Sequence, residues 1–256
     1  MKRCPACGGS RHYGLSDGRL KCRACGKRFT WTSVWDSVRL PGASKQRLLE
    51  LFVLGVPSYR QRFRSDTTAA TRERFYRLGA RLLRDGGEQF VGALELDETT
   101  FGGARKGKRG WGAAGKVIVF GLIKRNGQVK AMPIAAHDRV SVMQQIDAHS
   151  REGSLYYTDQ WQAHATLRLR GEHVMIRKQK GRPVGRDHIN GIEGFWSYAK
   201  NGLYPYRGVP SQYFHLYLAE VCYRFNHREQ DLKPLLFRLL KTTSIQELRP
   251  IRVRKA

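Results

Sequence analysis

Val91 to Thr99 read VGALELDET, a short apolar run that gathers three acids, Glu95, Asp97 and Glu98, at its end. A segment of this length and composition predicts a buried strand whose last residues meet charge chemistry. Downstream, Lys116 to Lys124 and Gln128 to Ala135 are two β-rich runs joined through Arg125-Asn126-Gly127. Asn-Gly favours the backbone angles of a tight hairpin, so three antiparallel strands are expected. Val140 to Ser150 then predicts a helix, Leu155 to Thr158 a strand ending at Asp159, and His173 to Lys178 a further strand. A meander followed by alternating helix and strand implies a mixed α/β sheet with flanking helices.

Charge narrows the chemistry. The chain has 256 residues with 47 Lys plus Arg against 21 Asp plus Glu, a formal charge of +26 and a sequence pI near 10.5. Such a surplus repels itself unless a polyanion neutralises it, and phosphate backbones are the commonest polyanion. An acidic or neutral metabolic enzyme is therefore not the default. With 41% hydrophobic residues the chain can fill a core and is not a basic tail. No apolar run approaches the ~18 to 20 residues that span a bilayer, and MKRCPACGG lacks an apolar leader, so a cytoplasmic, nucleoid-associated protein with no membrane partner is expected.

Against this basic background the acids are informative. Between Gln160 and Ala219 only Glu172, Asp187 and Glu193 occur. Glu193 lies in DHINGIEGFWSYAK, where Asn190, Glu193, Ser197 and Lys200 recur at helical spacing and so share one face. Asp97 and Asp159 each end a predicted strand and could project at one sheet edge. Three carboxylates converging there would hold two Mg²⁺ or Mn²⁺ ions about 4 Å apart for in-line phosphoryl displacement. Bland roles compete at each position. Any of Glu95, Asp97 and Glu98 could be a surface acid, Asp159 could cap a helix through QWQAHATLRL, and Phe195, Trp196 and Cys222 suit a core. Two basic loops border the expected site: one carries Arg105, Lys106, Lys108 and Arg109 among glycines, the other Lys178, Lys180, Arg182 and Arg186. Both suit phosphate contact.

Four of the five cysteines form a pair of C-x2-C knuckles, Cys4 with Cys7 and Cys22 with Cys25. Each knuckle places two thiolates on one turn, and two knuckles make a tetrahedral zinc site. Residues 1–36 are too short to bury a useful core, so the metal would supply their folding free energy. His12 reads as a surface residue. Residues 41–88 predict three helices: Ser44 to Leu54 with Ser44 as N-cap and Gly55 as stop, Ser58 to Arg64, and a third capped by Asp66 or Thr67. Arg72, Arg74, Arg77, Arg81 and Arg84 would point away from its apolar face, an organisation resembling a helix-turn-helix. Residues 90–230 form the α/β domain, and 231–256 a basic C-terminal helix and tail.

LELDETTFGG, YYTDQW and HINGIEGFWSYAK resemble the three acidic motifs of bacterial insertion-sequence transposases of the DDE class. There are 33 residues between Asp159 and Glu193, and Lys200 follows the glutamate by seven. With the N-terminal cysteine knuckles, the chain is similar over almost its whole length to the insertion sequence 1595 family. The resemblance implies a ribonuclease H-like fold, a metal-binding trio at Asp97, Asp159 and Glu193, and Lys200 positioning transposon-end DNA. Some relatives carry asparagine at the third position, which brings Asn190 into view beside Glu193; carboxylate chemistry favours Glu193. The implied activity is binding of terminal inverted repeats in double-stranded DNA, cleavage at 3′ ends and strand transfer, by a dimer or larger assembly. A non-catalytic DNA-binding regulator derived from a transposase, and a two-metal nuclease, are the competing functions.

Overall fold

Two knuckles of cysteine and a short alternating strand pattern organise the first residues. A computed structural model describes residues 2–63, 65–83, 87–102, 115–125, 127–160, 167–176, 187–206 and 208–248. The chain divides into two units, Met1–Leu82 with Glu229–Ala256, and Leu83–Arg228. In the first, β1 (His12–Gly14), β2 (Leu20–Cys22) and β3 (Arg28–Phe29) form an antiparallel ribbon. Gly8 and Gly26 adopt φ of 72° and 68° just after each cysteine pair, a region open to glycine at little cost. Their amides donate back to the Cys4 and Cys22 carbonyls, closing both turns.

This ribbon brings all four thiols within 4.8 Å of one another. Cys4 Sγ lies 3.6 Å from Cys25 Sγ, and Cys7 Sγ 3.5 Å from Cys22 Sγ. These separations are far beyond a disulfide's ~2.05 Å and close to the ~3.8 Å edge of a tetrahedron with ~2.3 Å Zn–S bonds. Burial would raise the Cys4 thiol, yet the Ala6 and Cys7 amides and the neighbouring thiols bring it down to about 7. The Gly9 amide favours the Cys7 thiolate, but crowding by Cys25 and Cys22 pushes that thiol up to about 12. Four thiols this close could hold a metal ion, and the donor set suits zinc. His12 stays out of the group, its Nε2 2.9 Å from the Gly9 carbonyl oxygen. Only Cys4, Cys22 and Phe29, with Leu20 and Trp31 against them, make an apolar cluster, too little to fold the ribbon unaided.

The helical part of this unit departs from expectation in local detail. After α1 (Val34–Ser37), whose cap is Ser33, α2 spans Gly42–Val53 and starts behind Pro41. Ser44 is therefore not its N-cap: it is buried inside the helix and its hydroxyl donates to Asp66. Gly55 does stop α2, at φ 69°. Ser58–Gln61 is a 3-10 turn, and α3 covers Ala69–Leu82 with Thr68 rather than Asp66 or Thr67 accepting from the first-turn amide of Thr71. Arg72, expected on a solvated face, is 4% exposed because its guanidinium donates to the Ser58 and Thr67 carbonyls. The C-terminal helix Leu232–Thr242 returns to pack on α1, α2 and α3, with Phe237 edge-on to Trp35 at 4.9 Å.

In the second unit the expected meander forms as β4 (Ala93–Phe101), β5 (Val117–Lys124) and β6 (Val129–Ile134), all antiparallel. Next come α4 (Arg139–His149), β7 (Leu155–Thr158) and β8 (Glu172–Met175), and then α5 (Asn190–Leu203) and α6 (Ser211–Asn226). The sheet order is β6-β5-β4-β7-β8, with β7 parallel to β4 and β8 parallel to β7. This is the mixed, ribonuclease H-like sheet. Leu94, Leu96, Phe120 and Leu122 pack on Val142 and Ile146 of α4. Phe101, Val119 and Ile123 pack on Ile192, Phe195 and Trp196 of α5 and Leu218 and Val221 of α6. No described helix is long and apolar enough to cross a membrane.

α5 seats directly on β5 because Gly121 has no side chain. A Cβ there would lie 2.5 Å from Trp196 Cη2, 2.6 Å from Cζ2 and 3.1 Å from Ile192 Cδ1.

Two outcomes are expected. Gly121→Ala should destabilise the Leu83–Arg228 unit by about 1–3 kcal/mol through overpacking, measured by denaturant unfolding. Purified protein should carry one zinc per chain, and stripping it with a chelator, or replacing Cys22 with serine, should make the first ~30 residues protease-sensitive because metal binding is the folding free energy of so small a module.

Candidate active site

The register of three neighbouring strands determines where the acids of the α/β unit stand. Along β4, Leu94 and Leu96 are fully buried toward α4, so Glu95 and Asp97 project to the opposite face, toward α5. Asp97 pairs with Gly121 across the sheet. The Trp196 indole occupies the space over that glycine, and its Nε1 donates to Asp97 Oδ2 at 2.9 Å. On the other side, parallel pairing sets Glu95 opposite Tyr157. Asp97 stands in the middle of β4, which runs on to Phe101 rather than ending at that acid as expected, and Asp159 directly follows Thr158, the last residue of the neighbouring β7.

Electrostatics registers this closeness. The Asp97 carboxyl is pushed up to about 6, first by burial and then by the Glu98 charge, with Asp159 adding to the rise; the Trp196 indole N–H and the Glu98 amide work against it. A carboxylate held this way is partly neutralised near pH 6 and favours a cation beside it.

α5 supplies the third acid. Ile192, Phe195, Trp196 and Ala199 are its buried residues, while Asn190, Glu193, Ser197 and Lys200 are exposed, as their shared spacing requires. Glu193 follows Ile192 and stands one turn before Trp196, the residue bonded to Asp97. Lys200 lies about 10 Å further along the helix at 1.5 Å per residue. Among the described residues the four cysteines are the only group of three or more His, Cys, Asp or Glu that closes into a metal cluster. Asp97, Asp159 and Glu193 do not close into such a group.

Two flanking acids have roles that composition did not reveal. Glu95 and Glu98, each open to a surface reading, are 2% and 8% exposed. Glu98 sits on the α4 side of the sheet, its Oε2 3.9 Å from His137 Nε2. Glu95 Oε2 accepts from the Ile192 amide at 3.0 Å and Glu95 Oε1 from Arg125 Nε at 3.1 Å. Strand alternation places Glu95 on the face of Asp97, and that signal was available; its partners were not. Trp196 is in the core, as expected, and also fixes Asp97. Cys222 is buried. The cap role considered for Asp159 falls partly on residues 161–166, outside the described residues, and so do Arg105, Lys106, Lys108, Arg109, Lys178, Lys180, Arg182 and Arg186.

A curated Haemophilus influenzae protein, described as an uncharacterized transposase-like protein, is 35% identical over 77 residues, 30% of this chain. The matched region spans 63% of that relative's length. A chain of a simian T-cell lymphotropic virus intasome in complex with the PP2A regulatory subunit B56 gamma aligns over 83% of this chain and 77% of its own, at 15% identity and a TM-score of 0.34, too distant to bear on function. The ISXO2-like transposase domain matches residues 89–226, more than half of the chain and all of the segments that carry Asp97, Asp159 and Glu193. On that match the chain belongs to the ISXO2-like transposase family.

Proposed function

We propose that the protein is a DNA transposase that binds terminal inverted repeats, cleaves at their 3′ ends and joins those ends to target DNA by in-line transesterification. One observation carries this: Asp97 in β4 and Asp159 just after the adjacent β7 are near enough for the Asp159 charge to raise the Asp97 acid, and α5, docked on Asp97 through Trp196, carries Glu193 on its exposed face. Hard carboxylate oxygens suit Mg²⁺ or Mn²⁺. The raised Asp97 acid marks a place where a cation relieves repulsion. Asp97, Asp159 and Glu193 would hold two such ions, which polarise the phosphodiester and activate water or a 3′-hydroxyl.

The rest of the chain binds and orients. Lys200 and Asn190 flank Glu193 on the exposed face of α5 and reach phosphate oxygens of the transposon end. The loops carrying Arg105, Lys106, Lys108 and Arg109, and Lys178, Lys180, Arg182 and Arg186, hold the duplex backbone by charge. The cysteine ribbon, residues 1–36, and the helical segment 41–88 add contacts to double-stranded DNA, and two chains act together when paired ends are joined.

Incubating the protein with its own flanking DNA and Mg²⁺ tests this, with joined products as the readout. Asp97→Asn and Glu193→Gln should each lower cleavage and joining by roughly a thousandfold or more, since a misheld ion removes charge stabilisation of the transition state, while DNA binding survives. Full strand transfer by either variant would refute the assignment. Hydrolysis without joining would favour a nuclease, and binding without cleavage a regulator.

A pH effect follows from Asp97. Its folded acid lies above the ordinary carboxylate value, so the folded state holds the proton more tightly than the unfolded chain. Its contribution to stability is full below about pH 4 and is lost as pH rises through about 6. Without divalent ions, Asp97→Asn should therefore melt about 4 °C higher than wild type at pH 7.5, corresponding to on the order of 2 kcal/mol. The gap should close near pH 4, and Mg²⁺ should narrow it at pH 7.5 by stabilising the wild type.

A further inference from the structure

Three groups meet around Arg125, whose side chain is 17% exposed. Its Nε donates to Glu95 Oε1 at 3.1 Å and its terminal nitrogen to the His188 carbonyl at 2.6 Å. Its guanidinium plane lies 3.5 Å from the centre of the Tyr157 ring. Glu95 in turn accepts the Ile192 amide at 3.0 Å, and so caps α5 from another strand. α5 has no side-chain cap of its own, since Ile189 occupies the capping position. Gly191 permits the approach: a Cβ there would lie 2.8 Å from Glu95 Oε2.

The partners are spaced tellingly. Glu95 stands two residues before Asp97 on β4, Tyr157 two before Asp159 on β7, and Ile192 one before Glu193 on α5. We infer that the Arg125–Glu95 pair is a positioning latch that fixes the mutual register of all three acids while touching none of them. The planar fork is needed because a single group must bond a carboxylate and a carbonyl and stack on a ring at once, which a lysine cannot do. This inference rests on the transposase reading. Misplacing a catalytic group by about 1 Å can cost on the order of 100-fold in rate.

The test uses the full chain with Arg125→Lys, which keeps the charge and loses the fork, and Glu95→Gln, which keeps the shape and one acceptor. Amide exchange across residues 189–196, single-turnover cleavage of transposon-end DNA, DNA Kd and thermal stability are measured together. Arg125→Lys should lose roughly 100-fold in single-turnover rate with Kd within about threefold of wild type. Exchange of the Ile192 amide should rise by roughly tenfold as the first turn of α5 is released. Glu95→Gln should fall between the two. A folded Arg125→Lys that cleaves within about threefold of wild type overturns the latch, as does a rate loss that disappears when the assay is cooled well below the variant's melting point. Should Arg125→Lys not fold, Glu95→Gln decides by the same outcomes. Wild-type protein with no metal-dependent cleavage would overturn the transposase reading instead. Exchange at Ile192 then judges the latch alone, and unchanged protection in both variants defeats it.

Discussion

The bond from the Trp196 indole to Asp97, made over the bare backbone of Gly121, is the constraint on which the α/β unit turns. It joins the helix carrying Glu193 to the strand carrying Asp97, and it exists only because β5 offers no Cβ at that point. The ring is buried against Phe195 and Phe101. Its apolar surface therefore packs the core while its single polar atom reaches an acid, a division of labour available to tryptophan and to few other residues. The cost is a carboxylate drawn away from water, seen in the raised Asp97 acid.

Around that bond the buried charges are paired rather than scattered. Glu95 satisfies both oxygens, one on a helix amide and one on Arg125. Glu220 in α6 is buried, which raises its acid, and its Oε1 accepts from Arg224 one turn on. Leaving either carboxylate without its partner would strand a charge in a low-dielectric interior, so such pairs specify geometry even where they add little net stability. The first unit solves a different problem. Its ribbon has almost no apolar core, and four close-set thiols stand where a metal ion could supply what hydrophobic burial does not.

Much of the α/β unit was legible because its signals are local. Asn190, Glu193, Ser197 and Lys200 recur at helical spacing, and all four are exposed on α5. The strand Leu155–Thr158 and the hairpin between β5 and β6 stand where their residues place them. The errors fell on helix starts. Ser44 has the chemistry of an N-cap, yet Pro41 starts the helix sooner and Asp66, 22 residues away, takes the hydroxyl. Arg72 looked solvated from its position among other arginines, but two distant carbonyls needed its guanidinium.

By itself, the order of residues determined the cysteine module, the mixed sheet with its flanking helices, and the acids worth attention, since knuckle spacing, strand alternation and helical period are properties of neighbouring residues. Only the tertiary structure decided which acids are tied into the fold and which stand exposed. Glu95, Asp97 and Glu98 are near neighbours of one chemical type, and what separates them is the burial, amides and rings brought to each by segments up to about a hundred residues away.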